Sequence, residues 1–415
     1  MRIFYGWWVL AASVVITAFG TGPLFYGFGI FFPSIQQEFG WSRAVISGAY
    51  SAATIMGGLT TMVVGFLVDR LGPRKLMLVG ISAAAAGYVV LSFVQALWMF
   101  YAVYIVLIAV GIYGGVNSPT EAAIAYWFVR RRAMAQGMLS SAIAIGGMTF
   151  APLLAMAILA YGWRNAAIAV GALMVVCCIP AALAVRDRPQ QMGLAPDGAP
   201  PPSGKHAAVG SAAARANDMT VRQALATPQF WLLSAVLALK FMGSGAVFIH
   251  LIPYLVDRGF DRQTAANLLG LVALVSIPGR LLFGYLGDRM SKRMLMSVTI
   301  GLEALGVVLL MVATTLPQVL LFIAAFALSM GTLPLIPAIR AEYFGLRNFA
   351  TLSGIMWGVS TAGIVVGPVV AGLSFDVTGS YTSAFMLFIG AYALAVLISA
   401  LTPPPPRKAG LAGRS

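Results

Sequence analysis

The sequence predicts an all-α polytopic membrane protein in which twelve transmembrane helices form two six-helix, pseudo-symmetric bundles. Three observations predict it. Of the 415 residues, 60% are hydrophobic and 9% charged, with a mean hydropathy of +0.91, whereas a typical soluble domain carries roughly 25% charged residues. Apolar stretches long enough to cross a ~30 Å hydrocarbon core recur along the whole chain. Loop motifs of the first half also return in the second at a nearly constant offset.

The spans in order give the domain plan. Residues 1–185 form an N-terminal bundle with helices at 7–35, 43–68, 76–94, 97–126, 134–160 and 163–185. The stretch from Trp7 is too long for a cleaved leader and lacks a small-residue cleavage site, so helix 1 is expected to be its own insertion signal. In helix 4, Gly114, Gly115 and Pro119 predict a bend. Cys177 and Cys178 are adjacent in helix 6, where neighbouring side chains diverge, so they are expected to pack rather than pair. Residues 186–227, with Pro189, Pro196, Pro200, Pro201 and Pro202, read as a flexible connector. The C-terminal bundle, 228–402, holds helices at 228–256, 263–287, 294–313, 317–341, 350–375 and 381–402. A short tail, 403–415, begins with four prolines.

Orientation follows from the basic residues. Arg2, Arg70, Arg74, Lys75, Arg130, Arg131, Arg132, Arg186, Arg188, Lys205, Arg215, Arg222, Arg289, Lys292, Arg293, Arg340, Arg347, Arg407, Lys408 and Arg414 fall on the side of the termini, and only Arg43, Arg164, Arg258 and Arg262 on the other. Positive loops stay in the cytoplasm during insertion, so both termini are expected there. The net charge of +14 is thereby spread over short loops, which argues against nucleic-acid binding. No H-E-x-x-H, Gly-x-Ser-x-Gly elbow or cofactor loop stands in a plausible context, so neither enzyme nor cofactor nor metal is expected.

The repeat fixes the architecture. Gly40-Trp41-Ser42-Arg43 is echoed by Gly259-Phe260-Asp261-Arg262, and Gly65 to Arg70 by Gly284 to Arg289, both at an offset of 219. Tyr126-Trp127 with Gly137 returns as Tyr343-Phe344 with Gly354 at 217. Duplicated bundles are the usual build of solute carriers. In the Gly65 to Lys75 loop the glycine permits close packing. Asp69 either caps the next helix or pairs with a cation, and Arg70, Arg74 and Lys75 anchor the turn. With Asp288, Arg289 and the triplet Arg130, Arg131 and Arg132, these charges are expected to act as a gate or as a purely structural motif, not as a substrate site.

The Gly65 to Lys75 loop resembles the signature between helices 2 and 3 of the major facilitator superfamily. Tyr5-Gly6-Trp7-Trp8 and the run Tyr126-Trp127-Phe128-Val129-Arg130-Arg131-Arg132 to Gly137 resemble the monocarboxylate transporter branch, including bacterial homologues related to oxalate/formate antiporters. The resemblance implies transport of a short-chain monocarboxylate such as lactate or pyruvate with a proton. It also implies that an arginine of helix 8, here Arg280, contacts substrate or takes part in proton coupling. Ser276 stands where the resemblance implies an aspartate, and helix 1 lacks the implied lysine.

The residues themselves also point to an anion. Arg280 lies two-thirds of the way along helix 8, where a charge costs about 2.5–3.5 kcal/mol on insertion scales. Either a buried carboxylate or a bound anion must compensate, and Arg grips carboxylates as a bidentate fork. An imidazole can change its charge near neutral pH, which makes His250 a candidate for proton coupling or for hydrogen-bonding the substrate. Asp257, two turns on, relays a proton or is simply solvated. Asn117 is a candidate substrate ligand or an interhelical bond. Tyr26 and Phe28 suit an apolar cavity wall or plain packing. Glu121 is expected to pair with an arginine of the terminal side. Glu303 and Lys240 are expected to be structural counter-ions or to snorkel.

Moving an anion inward against a negative-inside potential costs about 2.3 kcal/mol per 100 mV, which a co-bound proton cancels. Symport therefore ranks above carboxylate exchange, and both above a proton-driven exporter of another small solute. The expected partners are the monocarboxylate, protons and the lipid bilayer of a plasma membrane, with the short loops suggesting a bacterial inner membrane and a functional monomer.

Overall fold

The computed structural model describes residues 4–25, 27–198 and 218–404, without the side chains of residues 43 and 44. Tyr26, Arg2, the connector interior with Lys205 and Arg215, and the tail with Arg407, Lys408 and Arg414 lie outside the described residues, as does the side chain of Arg43.

The spanning helices are α1 (Gly6–Phe39), α2 (Arg43–Leu71), α3 (Pro73–Leu91), α4 (Leu97–Trp127), α5 (132–161), α6 (163–184), α7 (Pro228–Asp257), α8 (Arg262–Gly287), α9 (Lys292–Val312), α10 (Leu316–Phe344), α11 (Phe349–Thr378) and α12 (Thr382–Leu401). Helices α5 and α6 run into each other except at Gly162, whose φ of 78° and ψ of 159° only glycine adopts readily. This turn separates the predicted windows 134–160 and 163–185.

Two spans are less regular than predicted. The bend expected in α4 takes the form of two π-helical stretches, Val103–Ala109 and Tyr113–Asn117, wide turns that often mark functional sites. There Gly115 and Gly80 of α3 touch: a Cβ on Gly115 lies 2.6 Å from the Gly80 Cα. α10 breaks between Ser329 and Thr332, where the Phe283 ring of α8 packs on Gly331.

Each half has its own apolar core. Ile16, Ile81, Tyr88, Ile108, Trp127 and Cys178 belong to the first and Phe230, Ile300, Phe322, Phe385 and Tyr392 to the second. A smaller cluster, with Val64, Val68, Ala122, Tyr126, Ala341, Phe349 and Ala350, joins the halves on the side that carries the connector. Leu159, Val79, Val106 and Val377 remain exposed on the outer surface of the bundles, as lipid contact requires. Both ends of the connector, expected to be flexible throughout, are hydrogen-bonded to the bundles. Asp187 accepts from the Arg74 amide at 2.8 Å, Asp197 from the Arg130 amide at 2.8 Å, and Asp218 from the Leu346 amide at 2.8 Å.

Candidate functional site

Arg280 is placed by a locally disturbed helix. Pro278 interrupts the α8 hydrogen-bond ladder, and Gly279 lies against the α10 backbone, a Cβ there falling 2.9 Å from the Leu328 Cα. One turn earlier the Ser276 hydroxyl donates to the Ala273 carbonyl at 2.7 Å. The Arg280 side chain is buried, 6% exposed, and its Nη1 donates across the molecule to the Ser140 carbonyl of α5. Gly137 makes that crossing possible, since a Cβ there lies 2.7 Å from the Arg280 carbonyl oxygen. Ser140 and Gly137 of α5 thus bring the N-terminal half onto the one sequence-predicted cation of α8.

Below this level the repeated loops close the molecule on the connector side. Asp69, at the end of α2, accepts from the Ala350 and Thr351 amides at 3.1 and 2.8 Å and from the Thr351 hydroxyl at 2.7 Å. Asp288, at the end of α8, accepts from the Ala133 and Met134 amides at 2.8 and 3.0 Å. Each aspartate therefore caps the first turn of a helix in the other half, satisfying amides that have no partner within their own helix. This corrects the expectation that Asp69 caps its following helix or pairs with a cation. The start of α3 is already occupied, because Asp187 takes the Arg74 amide.

The basic residues of the motifs do not carry this contact. Arg70 lies 4.0 Å from the centroid of the Phe66 ring and Arg289 3.7 Å from that of Tyr285. Arg130, Arg131 and Lys75 are exposed, and Arg132 donates to the Phe128 and Ala125 carbonyls at 3.0 and 3.3 Å, closing the end of α4.

Two buried ion pairs complete the electrostatics. Glu121 of α4 bonds Arg340 of α10 at 2.9 Å, from one half to the other, and Arg340 also donates to the Ser353 hydroxyl of α11. In the sequence Arg340 counts among the basic residues on the side of the termini. It is fully buried within α10, in keeping with its place inside the predicted span 317–341, and it is the arginine that the sequence predicts as the partner of Glu121. Lys240 and Glu303 pair at 3.0 Å with both side chains wholly buried, bridged by Ser244 and with the Tyr392 hydroxyl 3.4 Å from Glu303. Neither snorkels to an interface.

The remaining candidates are more scattered. His250 is half-buried in α7, its Nε2 3.0 Å from the Pro368 carbonyl of α11 and its Nδ1 3.3 Å from the Tyr381 hydroxyl. Asp257 is exposed at the far end of α7, seven residues on. Asn117 closes the second π-helical stretch and is half-buried. Phe28 stacks among aromatics, 5.1 Å from both Tyr50 and Tyr104. A groove of about 290 Å³ between α2 and α11, lined by Leu59, Met62, Thr361 and Val365, contains none of these residues. Apart from the Thr361 hydroxyl its lining is apolar.

Among the described residues, the bonds between the halves from Asp69, Asp288, Arg280 and Glu121 lie toward the connector side. On the opposite side, ion pairs and arginine contacts of the described residues join elements of one half. Arg164 pairs with Glu38 at 2.6 Å and donates to the Val94 carbonyl, and Arg258 donates to the Met311 and Ala313 carbonyls. Two six-helix bundles that meet on one side around a buried arginine define the class of membrane solute carriers that work between two bundles.

The comparisons with known proteins give the family. The Major Facilitator Superfamily model matches residues 10–331 and 261–415, and the chain belongs to that superfamily. Among its relatives are monocarboxylate transporter 12-B of Danio rerio, 25% identical over 92% of this chain and 84% of the relative, and monocarboxylate transporter 13 of Rattus norvegicus, 28% identical over 94% and 87%. Two solved structures share the fold. The transporter FucP in its outward conformation matches with a TM-score of 0.72 at 15% identity, and the human organic anion transporter MFSD10 with 0.63 at 15%; each match covers 95% of this chain and 98% of the other.

Proposed function

We propose that this chain is a secondary transporter that carries a short-chain monocarboxylate of the lactate or pyruvate kind together with a proton, by alternating access. In this reading it spans a plasma membrane, in a bacterium the inner membrane, with the connector and both termini in the cytoplasm, and works as a monomer. The observation that carries the reading is Arg280, a guanidinium buried where the two halves cross and bonded to a backbone carbonyl of the opposite half. The planar guanidinium fork matches the two oxygens of a carboxylate, so an anionic acid suits this position better than a neutral solute. The relatives' names support the same substrate class. Asn117 and Phe28 are the proposed polar and apolar walls of the cavity. His250, with Asp257 beyond it, is a route for protons from the far side.

The closed connector side supports a cycle in which the halves rock about the Arg280 level. The test is counterflow. Proteoliposomes loaded with unlabelled pyruvate should draw in labelled lactate, and excess external acetate should compete more strongly than a neutral sugar. Competition by the sugar and not by carboxylates would overturn the substrate class.

A further inference from the structure

Another cation inside the membrane, Arg340, is more deeply buried than Arg280, with none of its side chain exposed. Its Nη1 serves both Glu121 and Ser353, while Nε and Nη2 have no hydrogen-bond partner among the described residues. A guanidinium has five N–H donors in a planar fork. Arg340 is thus a buried charge held by one carboxylate, with most of its donor capacity unused. Glu121, 14% exposed, is the half of the pair that water reaches.

The pair also stands in the way. Glu121 belongs to the N-terminal half and Arg340 to the C-terminal half, four residues before the end of α10, or about 6 Å at helical rise. It therefore lies between the Arg280 level and the connector side. Helix α5 links the two levels, because Gln136 donates to the Glu121 backbone carbonyl at 2.9 Å and the next residue, Gly137, touches the Arg280 carbonyl. When the halves part on the connector side the pair must break, leaving a carboxylate and a buried guanidinium, each unbalanced. A proton balances the first and an anion the second.

Building on the proton-coupled reading above, we propose that Glu121 is the proton-carrying residue and Arg340 the exit-side anion site of this carrier. A proton from solution adds to the Glu121 carboxylate and makes it neutral. The Arg340 fork then exchanges Glu121 for the substrate carboxylate arriving from Arg280. After the substrate leaves, Glu121 gives up its proton to the connector side and the pair re-forms. No bond other than that to the proton is made or broken, and neither ligand alone releases the gate.

Several of the surrounding charged groups are engaged elsewhere. From α2, Asp69 is held by Thr351 and by the Tyr126 hydroxyl at 2.9 Å. From α8, Asp288 holds the Ala133 and Met134 amides. From α3, Arg74 is half-buried and Lys75 is exposed, with Asp187 taking the Arg74 backbone amide. From α5, Arg132 holds carbonyls of α4. From α10 itself, Glu342 pairs with Lys292 at 2.8 Å. From the 196–198 turn, Asp197 holds the Arg130 amide. α11 faces the pair with the Ser353 hydroxyl, and the titratable Tyr343 lies three residues on from Arg340 in α10.

The experiment reconstitutes the full chain and its Glu121→Gln variant, and measures pyruvate accumulation under an inward proton gradient beside pyruvate counterflow at equal pH. The variant should keep counterflow within about twofold of the parent and lose gradient-driven accumulation. A variant that still accumulates pyruvate as the parent does overturns the proposal. So does one that loses both activities while remaining monodisperse with an unchanged melting temperature, which makes the pair a strut. If Glu121→Gln fails to assemble, Glu121→Asp should retain accumulation with a displaced pH profile, and an undisplaced profile overturns the assignment. A parent protein that performs counterflow but never responds to the gradient contradicts the symport reading itself, independently of Glu121.

Discussion

At the scale of single residues, position in the helix decides what each charge does. Arg280 sits where Pro278 and Gly279 bring α8 against α10, and its guanidinium reaches α5. Losing one charge-assisted bond costs about 1.5–3 kcal/mol, so Arg280→Lys, which keeps the charge but not the fork, should weaken apparent pyruvate affinity by ~10- to 150-fold. Counterflow measured over a concentration series shows this, and an unchanged half-saturation concentration removes Arg280 from the site. Asp69 acts through two amides and a hydroxyl of α11. Removing a helix cap costs about 0.5–2 kcal/mol. Asp69→Ala should therefore shift the population away from the closed connector face by roughly 2- to 30-fold, read as longer distances between spin labels on loops 71–72 and 345–347. Arg280 was legible in the sequence because a lone charge in a long apolar run has few explanations. Asp69's partner was not, because the amides it caps lie about 280 residues away and backbone amides leave no mark on composition.

At the scale of elements, small residues set how closely helices of different halves approach. A Cβ on Gly354 of α11 lies 2.1 Å from the Thr61 carbonyl oxygen, and one on Gly65 of α2 2.2 Å from that of Ala350. Gly137 and Gly284 do the same for α5 and α8. Gly137→Leu with Gly354→Leu should therefore hold the connector face open, making a cysteine at Ser140 alkylate at least ~10-fold faster from that side; unchanged labelling contradicts the packing role. The Lys240–Glu303 pair ties α7 to α9 inside one half. Removing one member of a buried pair typically costs about 3–5 kcal/mol, while apolar replacement of both is often neutral. Lys240→Met alone should lower the melting temperature in detergent markedly, and Lys240→Met with Glu303→Leu should recover most of the loss. Equal melting of both variants means the pair contributes nothing. Element number and order were legible because lipid demands long apolar helices. The π-helical turns of α4 and the break at Met330–Gly331 were not, because they depend on contacts with α3 and with Phe283.

At the scale of the whole molecule, the repeat is visible in contacts as well as in sequence. Asp69 caps α11 and Asp288 caps α5, while Asp197 holds the Val129 and Arg130 amides and Asp218 those of Leu346 and Arg347, equivalent loops at an offset of 217. The echo at Gly65 and Gly284 announced the first of these symmetries. The second rests on aspartates of the connector, whose polar, proline-rich composition reads as a loose tether and hides the docking. In the proposed reading, two halves that close on the connector side around a buried arginine carry a charged substrate, and that charge must be balanced in each cycle. The direct measurement is accumulation of labelled pyruvate in proteoliposomes under an inward proton gradient, with and without a protonophore. Proton-coupled carriage predicts concentrative uptake that the protonophore abolishes. Uptake that ignores the gradient and appears only after the vesicles are preloaded with a second carboxylate contradicts it.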